Sequence, residues 1–523
     1  MQPDLVDGTR NLSILSESLS IPGTAAHINW LPPEVLAAIF SHLPKPGPPK
    51  RKALQYVRDL VSVTHVCTFW RQVAINAPDL WAKINTRNLE GIRVFLERSG
   101  AVPLDVDLRR GLEKEEYYRL LEAVAPHSHR FRQFSAHPPK EAHDPSPFAL
   151  FTKAAPLLEK LDITCPVQLQ RSILFSNQTP RLRELVVFTR NLWFQNQFGN
   201  LTSLHLMLVD DMGLRSEFLP FFNMLRRCPA LEEMFIWWNT WDVASTASVQ
   251  VSPIPLHHLR KLLLYSFCVE NIKYLLHTFD LGENEVAVHL SEVELAHGVS
   301  LVSIVQTIFA NDNSRRLSLA SSTKLELIFH TQSRTFILHA VGPNSSIRID
   351  TCLEDSTHCE FTFQGVFSSV KELWVRGTPH WDVWLDGLEH LVALERLVLN
   401  GRGSKLAQNF QEVLSSEHSG TLPCPLLSTI DCYLSTIDCY GDEPEMREVF
   451  LLARARSSAG RPLERLRIPS SFLPPPVDVS ACVGDVTSLD PPPRPLHLHS
   501  MELPEHCFAK DHGWWRTWES RVD

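Results

Sequence analysis

The most regular hydrophobic pattern of the chain lies close to its N-terminus. In INWLPPEVLAAIFSHL (28–43), apolar residues follow Leu31 at offsets of four, five, eight, nine and twelve positions. These offsets form one stripe of a helix with about 3.6 residues per turn. The two prolines after Leu31 suit the first turn of a helix, and Glu34 places a negative charge there. Because a proline-rich stretch follows, the pattern predicts an amphipathic helix that ends at about Leu43.

A second apolar stripe predicts one further helix. Its members recur at steps of three or four residues and are Leu60, Val63, Cys67, Trp70 and Ala74. We expect the link PKPGPPKRKALQYVRD (44–59) to loop out between the two helices. A unit this small cannot bury both apolar faces by itself, since domains below about 40 residues rarely stand alone. The pair therefore predicts a partner protein, and the alternative is packing against the rest of its own chain.

Strand and helix patterns alternate after residue 81. Asn88 and Gly100 are a candidate N-cap and a candidate stop for one helix, and PLDVDL (103–108) alternates as a strand does. From there on, a phrase with the spacing L-x-x-L-x-L recurs. Its copies are PLLEKLDI (156–163), PRLRELVV (180–187), NLTSLHLM (200–207), PALEEMFI (229–236), HHLRKLLL (257–264), SSVKELWV (368–375), VALERLVL (392–399) and RPLERLRI (461–468). The first five copies start 24, 20, 29 and 28 residues apart, within the range of about 20 to 29 that is typical of leucine-rich repeats.

This recurrence predicts an α/β fold, an αβ solenoid of irregular leucine-rich repeats. Stacked repeats share one core and expose a row of strands as a long concave surface. Strands are expected side by side near Leu161, Leu185, Leu204, Met234, Leu262, Trp374, Leu397 and Leu466. Within 286–366 the alternating runs of 324–350 follow one another closely and favour β-hairpins, as an insertion or as degenerate repeats. An unrelated α/β domain whose strands begin with leucines is the alternative.

The composition is that of a globular protein, with 523 residues, 44% hydrophobic and 21% charged. A formal net charge of -9 argues against nucleic acid as the main partner. The 11 cysteines show no regular short spacing, and the N-terminus lacks the pattern of a secretory signal. The longest apolar segment, 299–310, is too short for a membrane span of about 20 residues. We therefore expect a soluble intracellular protein, cytoplasmic or nuclear or both, without a membrane partner.

The N-terminal stretch resembles the F-box. The pattern of that family is a Leu-Pro dipeptide, an acidic residue two positions on, an aliphatic helix ending near a Phe, and then Val-Cys, Trp and Leu-Trp. The matching residues here are Leu31-Pro32, Glu34, Val35-Leu36, Ile39-Phe40, Val66-Cys67, Trp70 and Leu80-Trp81. F-box proteins with a lengthened link and weak repeats resemble the large F-box sets of mushroom-forming fungi.

The resemblance implies that the hairpin docks on the Skp-type adaptor of a cullin-RING ubiquitin ligase while the repeats bind a target protein. The adaptor-binding residues that it implies are Leu31, Pro32, Glu34, Val35, Leu36, Ile39, Phe40, Cys67 and Trp70. For each of them, packing in the core of the hairpin is the alternative. A structural or adaptor protein whose hairpin leads to no ubiquitin transfer is the alternative function.

Motifs of catalysis are absent from the sequence. It contains no Walker A loop, G-x-S-x-G elbow, H-E-x-x-H helix or G-x-G-x-x-G turn, so we expect no catalytic residues, no cofactor and no metal. A zinc enzyme is a minor alternative because several candidate ligands cluster near the C-terminus. They are His497, His499, His506, Cys507 and His512.

The predicted organisation follows the chain in five parts. They are a flexible N-terminus (1–27), an F-box-like domain (28–81), a degenerate leucine-rich-repeat array (82–470), a Pro-rich linker (471–496) and a Trp-rich C-terminal cap (497–523). Within the array, LSTIDCYLSTIDCY (427–440) duplicates seven residues, and no function is assigned to it.

Overall fold

The chain divides into two compact units, Met1–Val106 and Asp107–Asp523, called unit 1 and unit 2 below. The computed structural model describes residues 28–42, 52–85, 88–108, 113–139, 146–165, 173–189, 196–208, 218–238, 252–282, 285–293, 321–330, 335–343, 345–352, 358–363, 367–377, 382–401, 423–433 and 444–489. The predicted flexible N-terminus (1–27), the predicted C-terminal cap (497–523) and the candidate zinc ligands lie outside the described residues.

The first described part of unit 1, 28–85, contains three α-helices. They are α1 (Pro33–Ser41), α2 (Lys52–Thr64) and α3 (Thr68–Ile75), with 3-10 turns at Ile28–Trp30 and Pro78–Trp81. Side chains from all of these helices meet in one buried core. Its members include Leu36, Phe40, Tyr56, Leu60, Val63, Val73, Ala74, Leu80 and Trp81. The predicted first helix is thus confirmed, with proline in its first turn and Glu34 beside it.

The prediction of one second helix is wrong, because the stripe from Leu60 to Ala74 spans two helices. Between them the backbone of Cys67 is extended, and its Sγ accepts a hydrogen bond from the backbone N–H of Trp70 (3.4 Å). Cys67 therefore caps the N-terminus of α3. The apolar spacing runs across this break because α2 and α3 bury their faces against the same core.

Part of the link that was expected to loop out is helical. Residues 52–59 form the first turns of α2, and the side chain of Tyr56 is buried. The Tyr56 hydroxyl donates a hydrogen bond to the carbonyl oxygen of Leu80 (2.8 Å), and burial raises the pKa of Tyr56 to about 12. Tyr56 thus continues the apolar stripe of Leu60 and Val63 by one turn toward the N-terminus.

The rest of unit 1 follows the sequence pattern. Its elements are β1 (Lys83–Ile84), α4 (Leu89–Arg98) and β2 (Leu104–Leu108), and β1 pairs with β2 in parallel. Asn88 caps α4 by accepting a hydrogen bond from the N–H of Glu90 (2.9 Å), as predicted. Gly100 has φ +53°, a left-handed conformation that glycine adopts without strain, and it follows the last turn of α4.

One large sheet forms unit 2. Its strands are β3 (Phe131–Ala136), β4 (Lys160–Cys165), β5 (Glu184–Thr189), β6 (Ser203–Leu208), β7 (Glu233–Trp238), β9 (Lys261–Tyr265), β11 (Val286–Val293), β12 (Lys324–His330), β13 (Thr335–Val341), β14 (Ser345–Cys352), β16 (Glu372–Gly377), β18 (Arg396–Gly401), β19 (Thr429–Tyr433), β20 (Leu463–Ile468) and β21 (Val483–Ser488). Two small parallel pairs lie outside it, namely β8 (Ile254–Pro255) with β10 (Phe279–Asp280) and β15 (His358–Thr362) with β17 (Asp382–Asp386).

Helices precede or follow some of these strands. They are α5 (Lys114–Val124), α6 (Phe218–Leu225), α7 (Val269–Thr278), α8 (Pro444–Ser458) and α9 (Val477–Ser480). Further 3-10 turns span Ala125–Arg130, Ser146–Leu150, Leu174–Asn177, Leu388–His390 and Ser470–Phe472. In the chain, α6 lies between β6 and β7, and α7 follows β9.

The strand order of the sheet follows the chain with one exception. From β3 to β11 and from β16 to β21 neighbouring strands of the sheet are parallel and in chain order. Between them β14, β13 and β12 stand in reverse order, with β14 parallel to β11 and β12 parallel to β16. The hairpins predicted within 286–366 are therefore confirmed, as a three-stranded meander, and β13 is the strand that runs antiparallel.

The register confirms the predicted side-by-side leucines. Leu161 lies opposite Leu185, and the row continues across the sheet through Leu204 and Met234 to Leu262. These side chains are buried, as are their counterparts from Val288 to Leu466, whereas Val486 on β21 is half-buried. On β16 the counterpart is Leu373, because Trp374 lies on the other face of the sheet. The proline-rich linker predicted at 471–496 is wrong in part, because its residues supply α9 and a last parallel strand, β21.

Candidate interaction surfaces

An apolar stripe on α1 faces away from the core of unit 1. Val35 and Ile39 are 42% and 43% exposed, whereas their neighbours Leu36 and Phe40 are 0% and 2% exposed. Residues four apart lie on one side of a helix, and the next residue is turned by about 100°. The helix therefore uses Leu36 and Phe40 to hold unit 1 together and leaves the stripe of Val35 and Ile39 in solvent.

The structure divides the nine predicted adaptor-binding residues into three groups. Pro32, Glu34, Val35 and Ile39 are exposed, and Leu31, Cys67 and Trp70 are half-buried. Leu36 and Phe40 lie in the core, where the Phe40 ring packs on Trp70 with 5.0 Å between ring centroids. Leu36 and Phe40 are thus core residues in this structure, and the predicted contacts on α1 that remain accessible to a partner are the exposed ones.

Four exposed apolar residues of unit 1 were missed by the sequence prediction. Ile28 and Trp30 precede α1 and are 46% and 71% exposed, while Val61 and Val66 on and after α2 are 43% and 59% exposed. A signal for Val61 existed, because it lies off the stripe of Leu60 and Val63. Trp30 lies directly before the Leu-Pro dipeptide, so apolar surface continues from α1 into the preceding turn.

A groove between α1 and α3 adjoins this surface. It is lined on the α1 side by small residues, Ala37, Ala38 and Ser41, and on the α3 side by Phe69 and Gln72. Small side chains let another chain approach the helix backbone closely. Unit 1 thus offers an apolar stripe and a neighbouring groove to a partner.

The second candidate surface is the face of the unit 2 sheet opposite the leucines, called the second face here. Side chains alternate across a strand, so one residue of each strand forms a middle row on this face. In sheet order the row is Ser135, Asp162, Val186, His205, Phe235, Leu263, His289, Arg348, His339, Glu326, Trp374, Val398, Asp431, Arg467 and Thr487. All of them from Ser135 to Asp431 are buried. The prediction of an exposed row of strands is therefore wrong for the middle row, and a partner would meet the rows that flank it.

The first half of the second face contains an apolar cluster. Its buried members are Val186, Met207, Phe235, Leu263 and Ala287. Three half-buried aromatic residues pack against them, with Trp237 between Phe188 and Tyr265 at centroid distances of 6.4 and 5.8 Å. Toward the N-terminal ends of the same strands, ion pairs such as Lys160–Glu184 (2.6 Å) link neighbours. This half can contact an apolar segment flanked by polar groups.

A buried polar band crosses the second face where the strand order reverses. His289 and Arg348 hydrogen-bond to the Asp350 carboxylate at 2.9 and 2.7 Å. Next to them the Glu326 carboxylate lies 3.1 Å from Nδ1 of His339 and 3.2 Å from Nε of Arg376. With neutral imidazoles, the two arginines and the two carboxylates sum to no net charge. We interpret the band as structural, because each of its ions faces a counter-ion.

The two buried imidazoles predict a pH dependence of stability. Burial lowers the pKa of His289, and it lowers that of His339 from 6.5 to about 4, although Asp350 and Glu326 act in the opposite direction. Between about pH 6.5 and 4, unfolded chains therefore bind protons that the folded state excludes. The free energy of unfolding of unit 2 should fall as the pH falls through this window, by roughly 3 kcal/mol for His339.

Urea unfolding curves collected between about pH 7 and pH 4.5 measure this dependence. His339→Gln keeps a hydrogen-bond donor for Glu326 and removes the titrating imidazole. We therefore expect the free energy of unfolding of the variant to fall less steeply with decreasing pH. An equally steep fall in the parent and in His339→Gln would contradict the assignment to this imidazole.

A second ionic cluster lies on the last strands of the sheet. The Asp431 carboxylate, which is 0% exposed, accepts hydrogen bonds from Arg396 (2.9 and 2.5 Å) and from Arg467 (2.6 and 2.7 Å). Beside them, Tyr433 stacks on Trp374 at 6.5 Å. Asp431 and Tyr433 belong to the first copy of the duplicated heptad, so that copy forms β19.

The described residues contain no group of three or more His, Cys, Asp or Glu side chains arranged to hold a metal ion. Within the same part of the chain, no helix has the length and apolar character needed to cross a membrane.

Comparison with known families supports the predicted F-box-like domain in unit 1. The family model described as F-box-like matches residues 28–87, a range that runs from the turn before α1 past β1. No curated protein matches the chain. F-box-like domains generally bind Skp-type adaptors, and they indicate a role in ubiquitin ligases as an adaptor or substrate receptor.

Proposed function

We propose that the chain is a substrate receptor of a Skp-cullin-F-box-type ubiquitin ligase. Unit 1 binds the Skp-type adaptor, and unit 2 holds a target protein. The chain performs no bond chemistry itself. It raises the effective concentration of the target beside the ligase, which accelerates transfer without a catalytic residue.

The exposure of Val35 and Ile39 within the F-box-like match carries this proposal. These two side chains are more than two-fifths exposed on a helix whose other large apolar residues, Leu36 and Phe40, are buried in the core. Apolar surface in solvent favours association with a partner, because binding removes it from water. The groove lined by Ala37 and Ser41 enlarges the area that an adaptor helix can cover.

For unit 2 we propose an irregular leucine-rich-repeat array as the target-binding module. Strands in parallel and in chain order, with Leu or Met at the same register position, support this interpretation. The half-buried aromatics Phe188, Trp237 and Tyr265 are the target contacts that we favour, since aromatic residues dominate binding energy at protein interfaces.

Co-purification with a Skp-type adaptor tests the role of unit 1. Val35→Asp/Ile39→Asp places two charges in the proposed interface and should weaken adaptor binding by at least about 100-fold. Val392→Asp/Val477→Asp is the matched control, because these valines are 50% and 88% exposed in unit 2. Equal binding by the parent and by Val35→Asp/Ile39→Asp, with both folded, would contradict the proposal.

A second measurement separates a ligase subunit from a structural adaptor protein. Targets captured by the parent chain should be ubiquitinated and lost faster in cells that contain it than in cells with Val35→Asp/Ile39→Asp. Unchanged turnover of every captured protein, with adaptor binding intact, favours the structural role.

A further inference from the structure

The duplicated heptad gives strand β19 two interchangeable sequences. Residues 427–433 and 434–440 both read LSTIDCY, and the first copy supplies Thr429–Tyr433 to the sheet. The second copy lies outside the described residues. We infer that the second copy can replace the first in the sheet, so that unit 2 has two strand registers that differ by seven residues. This inference does not depend on the proposed function.

The side-chain contacts of β19 are the same in either register. Ile430 and Cys432 fill the core, and Asp431 binds two arginines. Ile437, Cys439 and Asp438 carry the same atoms in the same order. A slip of one residue would turn every side chain to the wrong face of the sheet. A slip of one whole copy preserves the face and the identity of each contact.

In the shifted register, the connection from β19 to α8 has the same length as another strand-to-helix connection of unit 2. In the described register ten residues, 434–443, separate the end of β19 from the start of α8. After the shift three residues, 441–443, would remain. Three residues also connect β9 to α7 in this sheet, since β9 ends at Tyr265 and α7 begins at Val269. The longer connection is thus the one that the duplication has enlarged.

A buried arginine supplies an independent argument for the second register. Arg456 of α8 is 0% exposed, and it donates hydrogen bonds to the carbonyl oxygens of Pro423 (3.2 Å), Cys424 (3.2 Å) and Leu427 (3.1 Å). Among the described residues, its Nε has no hydrogen-bond acceptor and its guanidinium forms no ion pair with a carboxylate. A buried guanidinium held by carbonyl groups alone is costly, and no carboxylate in the described part of the chain offsets this charge.

The shift would bring a carboxylate to this arginine. Moving the chain by seven residues places Asp431 where Cys424 lies now, and the Cys424 thiol is buried close enough to Arg456 for the two to interact electrostatically. Position 424 has φ +47°, a left-handed conformation that Asp adopts more readily than Cys. The shifted register therefore pairs Arg456 and keeps the Asp carboxylate between Arg396 and Arg467, now from Asp438.

The exchange changes the lengths of the two connections that flank β19 in opposite directions. Seven residues leave the connection after β19 and join the segment before it. The loop after β19 shortens while the one before it lengthens, and the β19 positions in the core receive the same side chains in both registers. A ligand that contacts either connection would shift the balance between the registers by its difference in affinity for them.

Alanine substitution in each copy tests the exchange in the full chain. Ile430→Ala and Ile437→Ala each leave one intact copy to fill the core, so each should change the thermal unfolding midpoint by less than about 1 °C. Ile430→Ala/Ile437→Ala leaves no intact copy and should lower the midpoint by at least about 4 °C. Strong non-additivity of this kind reports that the two sites share one position.

A single register predicts a different pattern. Ile430→Ala alone would then lower the midpoint as much as the double variant, with Ile437→Ala silent, and that result would overturn the inference. No effect of the double variant would overturn it too, since neither isoleucine would then fill the core. Cys424→Asp gives Arg456 its carboxylate in the described register, so Ile430→Ala should again become strongly destabilising in that background.

Discussion

Replacing Phe40 by alanine is expected to lower the free energy of unfolding of unit 1 by about 3 to 5 kcal/mol. Its ring is 2% exposed and packs on Trp70 at 5.0 Å between centroids, in a core that three short helices share. The remaining chain cannot fill the cavity without shifting a helix. Because small units have little stability in reserve, most molecules should lose the native helices of unit 1.

Hydrogen exchange of peptides from 28–85 measures this local stability in the full chain. Ile39→Ala is the matched control, since Ile39 lies on the same helix and is 43% exposed. In Ile39→Ala, the free energy of opening obtained from hydrogen exchange should stay within about 0.5 kcal/mol of the parent value. The same variant should still weaken adaptor binding. Unchanged protection in Phe40→Ala would show that this ring is not part of the core, and Phe40 would return to the candidate contacts.

The contrast between Phe40 and Ile39 shows what a helical pattern can and cannot predict. The spacing of apolar residues predicted α1 correctly, but every member of a broad stripe looks alike in sequence. Which part of the stripe faces its own core depends on where α3 and its residue Trp70 pack. The break at Cys67 was invisible for a related reason, because two helices that bury their faces in one core keep one continuous periodicity.

The strands show the same division between local and non-local information. The spacing of leucines predicted that Leu161, Leu185 and Leu204 lie side by side, and the register confirms it. The alternating runs of 324–350 predicted hairpins, but the reversed order of β12, β13 and β14 depends on which strands they meet at each edge. No local pattern in the chain encodes that choice.

The buried polar band was missed altogether. Glu326 and Arg376 are fifty residues apart in the chain and meet only because β12 pairs with β16. A lone charged residue within a strand reads as a solvated side chain, since charged groups are seldom buried without a partner. The partner becomes visible only once the strand order is known. The two arginines that donate hydrogen bonds to Asp431 were missed for the same reason.

Replacing Glu326 by leucine should lower the free energy of unfolding of unit 2 by about 3 to 5 kcal/mol. Glu326 is 1% exposed and lies 3.2 Å from Nε of Arg376, which is 8% exposed. The substitution leaves that guanidinium buried without its counter-ion, and it removes the carboxylate that contacts His339. Urea unfolding at about pH 7 measures the loss.

A variant without either charge separates the net contribution of the ion pair to stability from the penalty of leaving one buried charge unpaired. Glu326→Leu/Arg376→Leu buries no uncompensated charge, so it should be closer to the parent in stability than Glu326→Leu alone. Glu395→Leu is the matched control, because Glu395 pairs with Lys371 at 3.2 Å directly before the neighbouring strands β18 and β16, and both side chains are more than half exposed. Its loss should change stability by less than about 1 kcal/mol. If Glu326→Leu were as mild as Glu395→Leu, water must reach Arg376, and the band would be a solvated channel through the second face instead of a sealed part of the fold.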